Sequence, residues 1–299
     1  MQLTLGPVLY YWPKAQLDAF HDAIAAAPVD RVYLGEAVCS RRHEYRIADW
    51  LDAAARLADA GKEVVLSSQV LMESESDLRA LRRFVANERF LLEANDMGAV
   101  HAVAGHAPFV AGPHLNIYNA QTLAFFASLG ANRWVPPFEM TRTSLAAILA
   151  EKPAGLATEV FAYGRLPLAF SARCFTARHY DLPKDDCRFV CLDHPEGLAL
   201  ATREREPFLV LNGIQTQSYR VFNLADALPD MRELGVDAVR LSPQPERMNE
   251  VIAAFRGALD GAAPADVAAM LAPALPAAAC NGYWHGRPGL EYVARRAAS

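Results

Sequence analysis

Residues 31–68 read RVYLGEAVCSRRHEYRIADWLDAAARLADAGKEVVLSS. The segment opens on an aliphatic and aromatic run, Arg31–Glu36, and closes on a second, Glu63–Ser68. Between them, Tyr45–Ala60 repeats apolar residues at helical spacing, and Gly61 follows as a stop signal. A helix between two strands carries the chain back to the end where it started, so the strands pair in parallel.

The same rhythm extends in both directions. Further strands are expected at Leu3–Tyr10, Phe90–Glu93, Phe109–Leu115, Arg133–Phe138, Thr158–Tyr163 and Ala238–Leu241. Helices are expected at Lys14–Ala27, Glu75–Asn87, Asp96–Ala104, Asn119–Leu129 and Thr143–Ala150. Ser74 and Asn95 stand where N-caps belong, and Gly130 follows a helix end. Eight strands in this alternation predict an α/β fold, a (β/α)8 TIM-barrel-like closed sheet. A doubly wound open sheet is the alternative, without the GxGxxG that would favour it.

One interval breaks the alternation. From about 164 to 235 the chain holds polar turns, three cysteines and short strand-like runs at Arg188–Leu192, Leu198–Ala201 and Phe208–Leu211. It reads as a cysteine-bearing insertion before the last strand. Residues 1–260 then form a single barrel domain. Residues 261–299 form a C-terminal helix, an Ala- and Pro-rich linker and the tail NGYWHGRPGLEYV.

Composition excludes several classes. The 299 residues are 53% hydrophobic and 21% charged, which excludes a disordered chain. Acidic residues outnumber basic ones, 34 to 29, so no general nucleic-acid binder is expected. No apolar stretch approaches the roughly 20 residues of a membrane span. The start, MQLTLGPVLYYWPKAQ, reads as a first strand and not as a signal peptide. A cytoplasmic protein is expected, in which cysteines serve as ligands or buried apolar residues more than as disulfides.

Cys174, Cys187 and Cys191 follow the pattern C-x12-C-x3-C, and Cys39 lies just after the second strand. The C-terminal ends of barrel strands converge on one face, so Cys39 can reach the other three across the mouth. Four thiolates suit zinc or an iron–sulfur cluster. One short pair joined to two isolated cysteines leans toward a cluster cradled between loops. Arg41, Arg42, Arg173, Arg178, Lys184 and Arg188 stand nearby to offset the negative charge. Cys280, in PAAACNG, falls outside the pattern.

Residues 159–174, EVFAYGRLPLAFSARC, resemble the signature of the collagenase-like peptidase family, a group of barrel proteins. The resemblance extends to LNGIQTQS at 211–218, VRLSPQ at 239–244 and NGYWHGRPG at 281–289. The segment GRLPLAFSARCFTARHYDLPKDDC is similar to a branch of that family acting in oxygen-independent ubiquinone biosynthesis. The resemblance implies a [4Fe–4S] cluster on Cys39, Cys174, Cys187 and Cys191. It implies a heterodimer with a UbiU-like family member, a UbiT-like lipid-binding accessory protein and a ubiquinone precursor as substrate, whose ring is hydroxylated without O2. A non-catalytic, cluster-bearing scaffold for that partner is the alternative. A peptidase is the weaker one, since relatives of that type carry a cysteine where Pro167 stands, and the sequence holds neither G-x-S-x-G nor HExxH.

No catalytic residue is assigned. Candidates at strand ends are Glu36, Ser67, Gln69, Glu93, Asn95, His114, Asn116, Glu139 and Arg165, with Glu36 placed to order the Cys39 loop. His114 is the histidine best placed for proton transfer or for binding a polar ring substituent. His179 and His194 flank the cysteine trio. Asn212 and Gln215 lie in the insertion, where the NG pair is a turn signal, and carry no assigned role. Tyr10, Tyr11, Trp12, Tyr283 and Trp284 are expected in surface loops, where aromatic residues favour a partner interface.

Overall fold

The structure, a computed structural model, describes residues 1–294. Its elements in chain order are β1 (Gln2–Leu5), α1 (Lys14–Ala26), β2 (Arg31–Leu34), α2 (Ile47–Asp59), β3 (Glu63–Ser67), α3 (Glu75–Val85), β4 (Leu91–Ala94), α4 (Met97–Val103) and β5 (Phe109–Ala111). There follow α5 (Ala120–Ser128), β6 (Ala131–Trp134), α6 (Arg142–Ala150), β7 (Ala157–Phe170), α7 (Phe175–His179), β8 (Leu198–Ala201), β9 (Pro207–Asn212) and β10 (Gln215–Asn223). Last come α8 (Leu228–Glu233), β11 (Ala238–Leu241), α9 (Met248–Leu259), α10 (Pro264–Leu271) and β12 (Ala279–Cys280).

Strands β1 to β7 pair side by side in parallel, and β11 pairs with both β7 and β1. The sheet thereby closes into the expected eight-stranded parallel barrel with helices outside. β7 runs past the barrel rim, and its outer half pairs antiparallel with β10, which leads through β9 to β8. This small antiparallel sheet stands over the mouth. β12 pairs with β10, so the segment after α10 returns to the same sheet.

Several boundaries differ from expectation for local reasons. The first strand stops at Leu5, before Gly6–Pro7, and residues 6–13 cross the barrel end. The fifth stops at Ala111, and Pro113–Leu115 form a 3-10 turn, since proline cannot donate to a ladder. The sixth is Ala131–Trp134, ending before Pro136–Pro137. Arg188–Leu192 is not a strand: Arg188 and Phe189 are left-handed, and Val190–Asp193 make a 3-10 turn. The fourth helix is capped by Asp96, whose side chain accepts the Gly98 N–H at 2.6 Å. Asn95 turns inward instead. Ser74 caps α3 as expected, through the Asp77 N–H. The tail is described only to Val293 and the residue after it, so the last five residues of the expected 261–299 segment lie outside the described residues.

The barrel interior is charged. Glu159 on β7 is fully buried and accepts four donors: Thr4 Oγ1 at 2.7 Å, Tyr33 Oη at 2.7 Å, Arg31 Nη1 at 3.1 Å and Arg240 Nε at 2.7 Å. Arg240 also donates to Glu93 at 2.6 Å and lies over the Tyr33 ring at 3.9 Å. Burial alone would raise the Glu159 pKa, but Arg240 and Arg31 outweigh it and hold the carboxyl below its ordinary range. Toward the lower rim, Arg31 and Arg133 share Glu63. Buried charges of this kind persist only when fully paired. Arg240→Ala leaves Glu93 and Glu159 facing each other without their shared cation. We expect a loss of about 3–5 kcal/mol in urea unfolding; a loss under about 1 kcal/mol would show that the network is not needed for stability.

Candidate functional site

Cys39 lies in the loop after β2, on the mouth side. Gly35 begins that loop at φ 145, and a Cβ there would sit 2.3 Å from the Ser67 carbonyl oxygen. The loop can pass close to β3 only because this residue is glycine. Glu36 then accepts the N–H groups of Val38 and Cys39, each at 3.0 Å, which gives it the ordering role expected from sequence.

Three residues on, Arg42 is buried and reaches across the mouth. It donates to the Leu9 carbonyl at 2.8 Å and to Asn212 Oδ1 at 2.6 Å, and pairs with Glu36 at 3.6 Å. Asn212 ends β9. Gly213, at φ 65, occupies the first central position of the two-residue turn into β10, the place for glycine in a type II′ hairpin. Its carbonyl accepts the Phe175 N–H at 2.8 Å, and its N–H donates to Thr176 Oγ1 at 2.9 Å. The hairpin turn thus fixes the start of α7, where Cys174 is the N-cap and its sulfur accepts the Ala177 N–H at 3.4 Å.

Cys39 and Cys174 belong to one apolar cluster with Leu9, Ala37, Val38, Ile214 and Phe170. Cys187 and Cys191 flank the left-handed pair Arg188 and Phe189. Each such residue costs about 1–3 kcal/mol and persists only where surroundings impose it. Here the Phe189 ring is held against His43 at 4.8 Å and Tyr11 at 6.0 Å. Lys184 pairs with Glu73 and donates to the Ala172 carbonyl, which ties the loop to the barrel.

The thiols sense one another. Cys174 lies within electrostatic reach of both Cys39 and Cys191, Cys187 reaches Cys191, and the Arg42 guanidinium faces Cys39 and Cys191. Burial pushes the Cys39 thiol up to about 11 and also raises Cys191, with Arg42 opposing both shifts. A soft cation bound here must displace these protons. Among the described residues, no three His, Cys, Asp or Glu side chains close around one ion position. A tetrahedral zinc needs all four sulfurs about 2.3 Å from one point.

The other candidates divide. Ser67 and Glu93 bond each other at 2.7 Å inside the charge network. Asn95 donates to the Ser68 carbonyl at 3.0 Å, leaving its Oδ1 without a partner. His114 is held between Phe138 and Phe170, whose ring also packs on the thiol cluster. Burial, with Arg240 nearby, lowers its pKa to about 3, so it is neutral. Asn116 is left-handed after a 3-10 turn, and Glu139 is an exposed acceptor for Tyr118. Arg165 is taken up by the Tyr219 carbonyl and ring. His194 bonds the Tyr180 hydroxyl at 2.7 Å, and His179 packs on the same ring.

The surface expectation for the aromatic residues is corrected. Tyr10, Tyr11, Trp12 and Trp284 are all buried, and the first three cover the barrel end of this chain. Asn212 and Gln215, left without a role, bond each other at 3.0 Å, and Asn212 holds Arg42. Only the turn could be read from sequence. Its partner lies 170 positions away.

A closed (β/α)8 barrel with a polar, thiol-bearing mouth defines a class of fold that hosts many chemistries at its strand ends. Residues 15–293 match the model of peptidase family U32, and the chain belongs to that family. Among solved structures it is similar to the U32 peptidase Mk0906, at 13% identity over 82% of this chain and 93% of that one, with a TM-score of 0.47. It is also similar, at 13% identity, to a protein described as a fructose-1,6-biphosphate aldolase from Coccidioides immitis (91% and 84% covered, TM-score 0.29). The spore cortex-lytic enzyme SleL of Bacillus megaterium QM B1551 matches at 13% identity (87% and 67% covered, TM-score 0.28).

The buried histidines make stability depend on pH. His114 and His21, the latter lowered to about 4 by burial, are neutral when folded and protonate near 6.5 when unfolded. The unfolded chain therefore binds more protons below pH 6.5, and stability falls as pH falls, by up to about 1.4 kcal/mol per pH unit for each histidine. Urea midpoints at pH 7, 6 and 5 should decline, and His114→Gln should flatten the decline. A midpoint unchanged from pH 7 to 5 would contradict neutral burial.

Proposed function

We propose that this chain is a UbiV-like iron–sulfur component of an oxygen-independent hydroxylase system for the ubiquinone ring, working with a UbiU-like family member and a UbiT-like lipid-binding protein. The reading is supported by the spacing of Cys39, Cys174, Cys187 and Cys191, by the packing of Cys39 with Cys174 in one cluster, and by the buried Arg42 guanidinium near Cys39 and Cys191. These four residues would hold a [4Fe–4S] cluster, which supplies one-electron transfer when bound. Arg42 offsets thiolate charge, Glu36 fixes the Cys39 backbone, and the Asn212–Gly213 turn fixes Cys174. Leu9, Ala37 and Phe170 pack with Cys39 and Cys174 in one apolar cluster.

The family's name favours a peptidase as a second reading. Hydrolysis needs an activated nucleophile or metal-bound water. The buried Cys39 thiol, raised to about 11, is a poor nucleophile at neutral pH. Incubation with gelatin, with and without chelator, separates the readings.

Anaerobically prepared protein should carry about four irons and four sulfides per chain. Cys39→Ala, Cys174→Ala, Cys187→Ala and Cys191→Ala should each lose most of that content, while Cys280→Ala keeps it. One zinc without sulfide, or a cluster indifferent to Cys39→Ala, would refute the assignment.

Support for a partner comes from the sheet over the mouth, where Leu168, Leu200 and Phe208 are each more than 40% exposed. Apolar side chains left uncovered on this small sheet are available to a partner. Co-expressed with a UbiU-like protein, the chain should elute as a heterodimer burying at least about 1,000 Å², and Leu200→Asp with Phe208→Asp should dissociate it. Two separate monomers at micromolar concentration would count against the pairing.

A further inference from the structure

Outside the barrel, α2 and α3 leave a cleft of about 730 Å³ between them. The buried Trp50 and Leu81 and the half-buried Leu51, Met72 and Phe84 make its walls apolar. The facing sides of the two helices are therefore only partly covered by the chain itself.

Two cations stand over these walls. Arg46, the N-cap residue of α2, and Arg83, near the end of α3, both line the cleft and both are exposed. Neither side chain makes an ion pair or a hydrogen bond among the described residues. The acids nearby are already engaged. Asp49 pairs with Lys14, Glu36 with Arg42 and the Val38 and Cys39 amides, and Asp77 accepts the Glu73 and Ser74 amides. Both helices begin at the mouth, so Arg46 marks the upper end of the cleft. Arg83 follows Glu75, the first residue of α3, by eight positions, which sets it about 12 Å lower at about 1.5 Å per residue.

An occupant has to bring apolar groups to the walls and an anion to each end. A single-headed amphiphile such as a fatty acid meets one arginine and leaves the other alone. Its chain would also lie open to water, because Ala48 and Ala86 at the rim are exposed. An extended strand would set backbone N–H and C=O groups against apolar walls that cannot pair them. A helix bonds its own backbone and turns a polar face to the open side. Its positions i, i+3, i+4 and i+7 share one face, and i to i+7 spans about 10.5 Å, close to the separation of the two arginines along the cleft. We infer that the cleft docks an acidic amphipathic helix of another protein. Carboxylates at i and i+7 meet Arg46 and Arg83, and apolar side chains at i+3 and i+4 pack on Leu51 and Phe84, the helix-in-groove mode of recognition. The inference goes beyond the iron–sulfur reading and uses none of the four cysteines.

The probe is a fluorescently labelled, alanine-based helical peptide with Glu at i and i+7 and Leu at i+3 and i+4, titrated with the full chain and followed by anisotropy. Saturable binding tighter than about 1 mM is expected. The same peptide with Lys for both Glu should bind at least about tenfold more weakly, since two attractions become repulsions. With Ser for both Leu it should also lose at least about tenfold, through lost burial. In the double variant Arg46→Glu with Arg83→Glu the order should reverse, the Lys peptide binding more tightly than the Glu peptide. Both side chains are exposed, so the melting temperature should change little. The peptide series on the unaltered chain tests the inference without the variant. No binding at about 1 mM, equal binding of the Glu and Lys peptides, or a folded double variant with an unmoved preference would overturn the inference. Displacement of the peptide by palmitate that the double variant leaves unaltered would also overturn it, and would make the cleft a hydrocarbon site.

Discussion

The buried guanidinium of Arg42 joins segments that the chain keeps far apart. It bonds the crossing segment after β1 through Leu9, the loop after β2 through Glu36, and the β9–β10 hairpin through Asn212. Asn212 Nδ2 reinforces the link by donating to the same Leu9 carbonyl at 2.8 Å, so the hairpin that positions Cys174 is anchored to the crossing segment twice. Gly213 marks how closely the parts fit, since a Cβ there would meet Arg42 Nη2 at 3.0 Å.

Beneath this junction the barrel is held by charge as well as by apolar packing. Glu159 gathers hydrogen bonds from β1, β2 and β11 into one carboxylate. Most barrel interiors are filled with branched aliphatic residues. Here the aliphatic part of the interior is Val65, Val110 and Val135 with Tyr33. The polar remainder is tied together by its carboxylates, which fix strand positions, although Arg31 Nε and Arg240 Nη2 keep no partner among the described residues. Side chains at the mouth, including Asn95 Oδ1 and Gln69 Oε1, retain unpaired atoms.

Much of this architecture was legible in the sequence. Strand–helix alternation from Arg31 to Ser67 states parallel pairing directly, because helical spacing and strand runs are local properties. Prolines at 113 and 136 ended strands earlier than their aliphatic runs suggested. The run RFVCL around Cys191 looks like a strand by composition, yet Phe189 is captured by Tyr11 and His43, contacts no local pattern encodes. The turn signal of Asn212–Gly213 does not reveal β10, and the aromatic trio Tyr10–Trp12 reads as a surface loop by composition but is buried. The spacing of the cysteines and the positive charge of Arg42 beside them are readable; the bridge that Arg42 makes to Leu9 and Asn212 is not, because these partners lie in remote segments.

The proposal that the four thiols hold one iron–sulfur cluster is tested most directly by X-ray absorption at the iron K-edge on anaerobically prepared protein. A cluster on Cys39, Cys174, Cys187 and Cys191 places every iron in an all-sulfur shell with other irons close by. Iron bound through nitrogen or oxygen, or a single iron with no iron neighbour, would contradict the account.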